Sequence, residues 1–139
     1  MKVKGGHIDW YGQTFLFAVF DEIFKAITKA AIYVQGHIKR KIGKGGGKPH
    51  RPSRPFEPPR RDTGVLASSI NYEVVIEKNK IHGYVGVDEK HLKSKSTTLV
   101  DYGLELELGR KNMQPRPYLV PSLKECKTKI RNILQQALK

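Results

Sequence analysis

Residues 70–87 read INYEVVIEKNKIHGYVGV, and the fold turns on them. Ile70, Tyr72, Val74 and Ile76 alternate with polar neighbours, Val75 excepted, and after Lys78-Asn79-Lys80 the alternation resumes at Ile81, Val85 and Val87. A period of two belongs to a strand with one covered face. Asn79 tolerates the left-handed backbone that a tight turn often needs. The stretch therefore predicts a β-hairpin, and other elements must supply the cover for its apolar face.

Upstream, residues 14–42 have the period of a helix. Leu16, Phe20, Ile23, Ile27, Ala30, Val34, Ile38 and Ile42 recur three or four apart and share one face. Asp21 and Glu22 come early and Lys39, Arg40 and Lys41 late, which suits the helix dipole. Gly43 is a natural stop. Gly36, inside the run, costs about 1 kcal/mol relative to Ala and allows a bend or a close contact. Downstream, residues 121–138 predict a second helix with proline in its first turn and a stripe of Leu123, Cys126, Ile130, Ile133, Leu134 and Ala137.

Two segments are of another kind. Residues 43–61 read GKGGGKPHRPSRPFEPPRR, with Lys44, Lys48, Arg51, Arg54, Arg60 and Arg61 against the single acid Glu57. Glycine removes local preference and proline removes backbone donors, so an extended, mobile loop is expected. Residues 89–98 predict a second, polar loop. Between residues 99 and 109, Leu104, Leu106 and Leu108 alternate as in a strand, while Leu99, Val100, Gly103 and Leu104 fit a short helix equally well. The order predicts a single α+β domain, with a long N-terminal helix and a C-terminal helix on a small, mostly antiparallel β-sheet, and a long basic Gly/Pro-rich loop.

The chain has 139 residues, 26 basic and 13 acidic, for a net charge of +13. That length is one domain's worth, and that charge favours polyanionic partners. Cys126 is the only cysteine, which rules out an internal disulfide and a thiolate zinc site and fits a reducing compartment. The longest run free of charge, residues 10–20, is too short for a bilayer, and Gly5, Gly6, His7 and Asp9 stand where a signal peptide needs apolar residues. A chain made in the cytoplasm, and used there or released by lysis, is expected.

No catalytic set stands out. His7 and Asp9 lack companions at metal-ligand spacing, and no two histidines are four apart. Asp101, Glu105 and Glu107 read as the polar face of an amphipathic element rather than an acid–base pair. Cys126 falls on an apolar stripe and reads as a core residue. Residues 43–48, GKGGGK, fail as a phosphate loop, because a helix precedes them and Pro49 follows. The basic loop is left as the strong compositional signal. It suits a phosphate backbone followed without base readout, or an acidic protein surface.

Residues 62–70, DTGVLASSI, resemble the TG-x-L-x-x-SI lead-in of the tail-completion, or head–tail joining, proteins of tailed phages. Tyr102-Gly103, followed by Glu107-Leu108-Gly109, is similar to that family's YA…E-[aromatic or aliphatic]-G segment, and residues 117–123, PYLVPSL, to its P-F-L-x-P-A-L helix start. The three occur in the family's order within residues 58–138. Thr63, Gly64, Leu66, Ser69, Ile70, Tyr102, Glu107, Gly109, Pro117, Tyr118, Leu119 and Pro121 carry the likeness. The chain departs from the pattern at Gly103 and Ser122, where the family has Ala, and at Arg110, where it has Thr. Each motif also has a folding role: a sharp turn at Thr63-Gly64, apolar bodies at Tyr102, Leu106 and Tyr118, and a rigid lead-in at Pro117 and Pro121.

The resemblance implies a structural minor tail protein at the neck of a siphophage, not an enzyme and without a cofactor. It implies a ring, expected to be six-fold, between the head-closure or connector protein and the tail tube or tail terminator. The protein would reside in the virion after assembly in the host cytoplasm, with no membrane partner. Lys44, Lys48, Arg51, Arg54, Arg60 and Arg61 would contact a neck protein or, non-specifically, DNA. The competing reading is a small cytosolic, sequence-tolerant nucleic-acid-binding protein that uses the same loop. A nuclease, the third reading, lacks an acid and metal constellation.

Overall fold

The computed structural model describes residues 12–43, 51–60, 64–88 and 96–139. His7, Asp9, Lys44, Lys48, Arg61, Thr63 and residues 89–95 of the polar loop lie outside that set. The described chain is α1 (Gly12–Lys41), α2 (Val65–Ser69), β1 (Ile70–Glu77), β2 (Lys80–Val87), α3 (Ser96–Leu108) and α4 (Leu119–Ala137). It is the expected α+β arrangement, with N-terminal and C-terminal helices on an antiparallel sheet of two strands.

The hairpin pairs Ile70 with Val87, Tyr72 with Val85 and Ile76 with Ile81. Its turn is the two residues Lys78 and Asn79, both left-handed at φ 44° and 64°, the backbone that matches strand twist. Gln35 of α1 donates from Nε2 to the Ile70 carbonyl at 3.0 Å and pins the start of β1. The hairpin's covered face then joins α1. Ile70 is fully buried with Val34, Ile38, Ile42 and Ala67, and Val85 and Val87 pack against the same cluster.

Thirty residues make α1 about 45 Å long. Its buried residues are Ala26, Ala30, Ala31, Val34 and Ile38, and Ile42 is buried just past its end. The small residues Ala26 and Ala30 let Ile133 of α4 settle between them. The expected apolar face is corrected at its start, because Leu16 is 65% exposed: α4 ends alongside Ala26, and nothing described packs on the first turns. In α4, Cys126 and Ile133 are buried and Ile130, Leu134 and Ala137 pack partly, but Leu123 is 55% exposed and Ser122 takes an inward place instead. Gly36 meets nothing tighter than Arg40 Nη1, at 3.4 Å from where a Cβ would stand, so no close packing explains it.

The undecided segment is helical. In α3, Gly103 and Leu106 are buried, three residues apart, while Leu104 and Leu108 are exposed, so the period-two pattern of leucines does not follow burial. Tyr102 is half exposed, which corrects its assignment as a packing residue. Residues 51–60 have irregular backbone, yet that half of the basic loop is fastened. The Gly43 N–H donates to the Pro59 carbonyl at 2.8 Å, and the Phe56 N–H to the Pro115 carbonyl at 2.9 Å.

Candidate functional site

Glu107, Gly109, Pro117, Tyr118 and Leu119 meet at the joint between α3 and α4. Gly109 ends α3 at φ 76°, with its N–H on the Glu105 carbonyl at 2.7 Å. A Cβ there would sit 2.9 Å from the Met113 carbonyl oxygen and from Pro115 N, so glycine is required for space as well as for backbone. Arg110 and Met113 exchange two backbone hydrogen bonds of 2.9 Å and turn the chain back. The Arg116 N–H then donates to the Leu106 carbonyl at 2.6 Å, which lays Pro117 and Tyr118 along α3.

Tyr118 is fully buried, and its hydroxyl donates to the Gly103 carbonyl at 3.2 Å. Burial pushes its phenol well above the ordinary tyrosine range, and the charge of Glu107 adds to the shift. Gly103 makes the approach possible, since a Cβ there would lie 2.9 Å from that hydroxyl and 3.0 Å from Val87 Cγ2. Glycine at position 103 therefore has a steric reason. Ser69 and Ile70 are buried on the same side, and Leu66 packs partly against the cluster.

Glu107 does what no local residue does for α4. Tyr118, at the N-cap, offers no capping side chain. The Glu107 carboxylate instead accepts three backbone N–H groups, from Tyr118 at 2.7 Å and from Leu119 and Val120 at 2.9 Å. Those donors have no intrahelical partner at a helix start, and the dipole there favours a negative charge. Glu107 is thus a cap and not part of a solvated polar face. A helix start reading Arg116-Pro117-Tyr118, without Ser, Thr, Asp or Asn, is the signal that a cap had to come from elsewhere. Glu105 does face solvent, paired with Arg110 Nη1 at 3.1 Å.

The basic loop is clipped to this joint. Arg116 Nε donates to the Ser53 carbonyl at 2.9 Å. Arg51 and Arg54 are exposed, Arg60 is half-buried, and Glu57 Oε2 accepts the Arg54 backbone N–H at 3.4 Å. Two of the six expected contact residues, Arg51 and Arg54, therefore stand free to meet a partner beside the α3–α4 joint.

Burial raises the Cys126 thiol above its ordinary range, which suits a core residue and not a nucleophile. Among the described residues no three His, Cys, Asp or Glu side chains gather as metal ligands, and no helix is long and apolar enough to cross a membrane. Compared with protein families, curated proteins and solved structures, the chain has no match.

Proposed function

We propose that this chain is a structural protein of a tailed-phage virion, which completes the tail and joins it to the head as a ring at the neck. The observation that carries the reading is the convergence of the three motif segments. Leu66, Gly103, Glu107, Gly109 and Tyr118 build one joint, in which a carboxylate caps a helix and a buried hydroxyl fixes the crossing. Each residue spends its chemistry on holding elements in place. An assembly protein needs no more than that, whereas an enzyme needs reacting groups besides. The exposed Arg51 and Arg54 supply a site for an acidic neck protein.

The test is complementation. Purified protein is mixed with tail-less heads and unattached tails from phage lacking the corresponding gene, and joined particles are counted by electron microscopy. Restored joining supports the reading. No joining, with tails complete in the protein's absence, discards it. The same two arginines favour the second reading, a sequence-tolerant contact with DNA. In Arg51→Ser/Arg54→Ser, loss of joining at unchanged DNA retardation supports protein docking. Loss of salt-sensitive retardation, with no joining activity in the parent protein, moves the assignment to nucleic-acid binding.

A further inference from the structure

The start of α1 overhangs the body. Phe15, Leu16 and Phe17 are 67%, 65% and 76% exposed, three apolar side chains in a row on a helix that is apolar all round there. A helix of that kind is normally covered. Residues 12–20 hold no charge, and the next turn carries Asp21 and Glu22 against Lys25 alone, on a chain of net charge +13.

A groove of about 480 Å³ lies between the hairpin and α4, floored by α1. Ala31 and Val34 form its floor, Tyr84 and Val85 one wall, and Leu123 and Ile130 the other. Tyr84 and Leu123 are more than half exposed, so the groove is open to solvent. On α4, Lys124, Lys127 and Arg131 are exposed three to four residues apart, a spacing that sets them along the helix next to the stripe of Leu123 and Ile130 and makes that side of the groove basic. Along α1 it runs from Ile27 to Ile38, about 16 Å, and the overhang before Glu22 is about 15 Å.

We infer that the overhanging start of α1 of one copy lies in the groove between β2 and α4 of a second copy. Length matches length, apolar side chains meet apolar walls, and a turn with excess acid meets a basic side. The contact is head-to-tail, so it closes a ring or runs on as a filament. It rests on the proposed neck function only for the purpose of that ring. Three such side chains bring roughly 500 Å² into the groove, short of the roughly 800 Å² per partner of a stable pair. Association in free solution is therefore weak and concentration-dependent.

The test uses two full-length variants, Phe17→Cys and Leu123→Cys, purified reduced, mixed and oxidised. The native Cys126 is buried. A mixed disulfide between the two variants, several-fold above what either gives alone, is the expected result. Sedimentation of the parent protein should show its average mass rising with concentration, and Phe15→Glu/Phe17→Glu should weaken that association about tenfold or more. Both positions are exposed, so the helical circular dichroism should not change. A parent chain that stays monomeric at about millimolar concentration, or one in which Phe17→Cys links only to itself, overturns the inference. Normal joining of heads and tails without the mixed disulfide refutes this contact and spares the neck function. A mixed disulfide without joining keeps the contact and discards the neck function.

Discussion

The carboxylate of Glu107 faces three backbone donors that have no other partner, which makes it the residue whose loss should be felt most at the joint. Hydrogen bonds to a charged group are worth about 1.5–3 kcal/mol, and a lost cap about 1 kcal/mol. Glu107→Ala should therefore cost about 3 kcal/mol in urea unfolding. Glu107→Gln should cost about half as much, since an amide offers one accepting oxygen in place of two. Glu105→Ala is the contrast, because its partner Arg110 is exposed and the pair should contribute less than about 0.5 kcal/mol. Equal losses at 105 and 107 would remove the capping argument. Tyr118 adds a pH dependence at the same place. Its phenol is raised in the fold, so the folded state holds that proton more tightly than the unfolded chain. Stability from this group is whole below the ordinary value of 10.0 and is lost as pH rises above it. Tyr118→Phe should flatten the fall in stability between pH 9 and 11, measured against the parent by urea series. An unchanged slope would place the alkaline transition elsewhere.

Between elements, α4 is tied to α1 at solvent by Glu125, whose carboxylate meets Lys41 Nζ and lies 2.6 Å from His37 Nε2. Lys41 first, then His37, hold that carboxyl below its ordinary 4.5. The depressed value means that the contribution is present above pH 4.5 and is lost as pH falls through the folded value below it. Glu125→Gln should lower the melting temperature slightly at neutral pH, with the difference closing in acid and in high salt. A difference that persists at pH 2 would assign it to packing. These elements were legible to different degrees, for physical reasons. The hairpin, α1 and α4 announce themselves because each covers most of a stripe whose period is written in the sequence, although Ile76, Leu16 and Leu123 of those stripes are exposed. Helix α3 does not, because among its described side chains Gly103 and Leu106 are buried while Leu104 and Leu108 stand in solvent. Helix α2 is a single turn held by Ser68 and Ser69 hydroxyls donating to the Val65 and Leu66 carbonyls, which no periodicity records. The apolar repeat of α1 runs on through Leu16, where α4 has already ended, since a repeat carries no mark of where its partner stops.

Across the whole molecule, stability is graded by how many elements hold each part. The cluster around Tyr118, Ile38 and Ile70 draws on α1, β1 and the lead-in to α4 at once. Residues 51–60 form no helix or strand, although Ser53 and Pro59 are buried. Among the described residues, the Phe56 N–H to Pro115 and Arg116 Nε to Ser53 link them to the connector before α4, and the Gly43 N–H to Pro59 links them to the end of α1. A segment fastened by a few hydrogen bonds opens before the core does. Amide exchange should therefore rank Phe56 and Gly43 between the core of α1 and the exposed loop backbone. Arg116→Ala removes a charged donor worth about 1.5–3 kcal/mol, which should speed Phe56 exchange by about tenfold or more. The Gly43 amide bonds elsewhere and should respond less, and amides of α1 should not respond at all. If Phe56 and the core of α1 sped up together, the clip would be part of the global fold. The loop that carries Arg51 and Arg54 would then be presented rigidly to whatever partner it meets. If Phe56 alone responds, those two arginines ride on a flap that Arg116 holds in place, and a partner that binds them can lift it without disturbing the body.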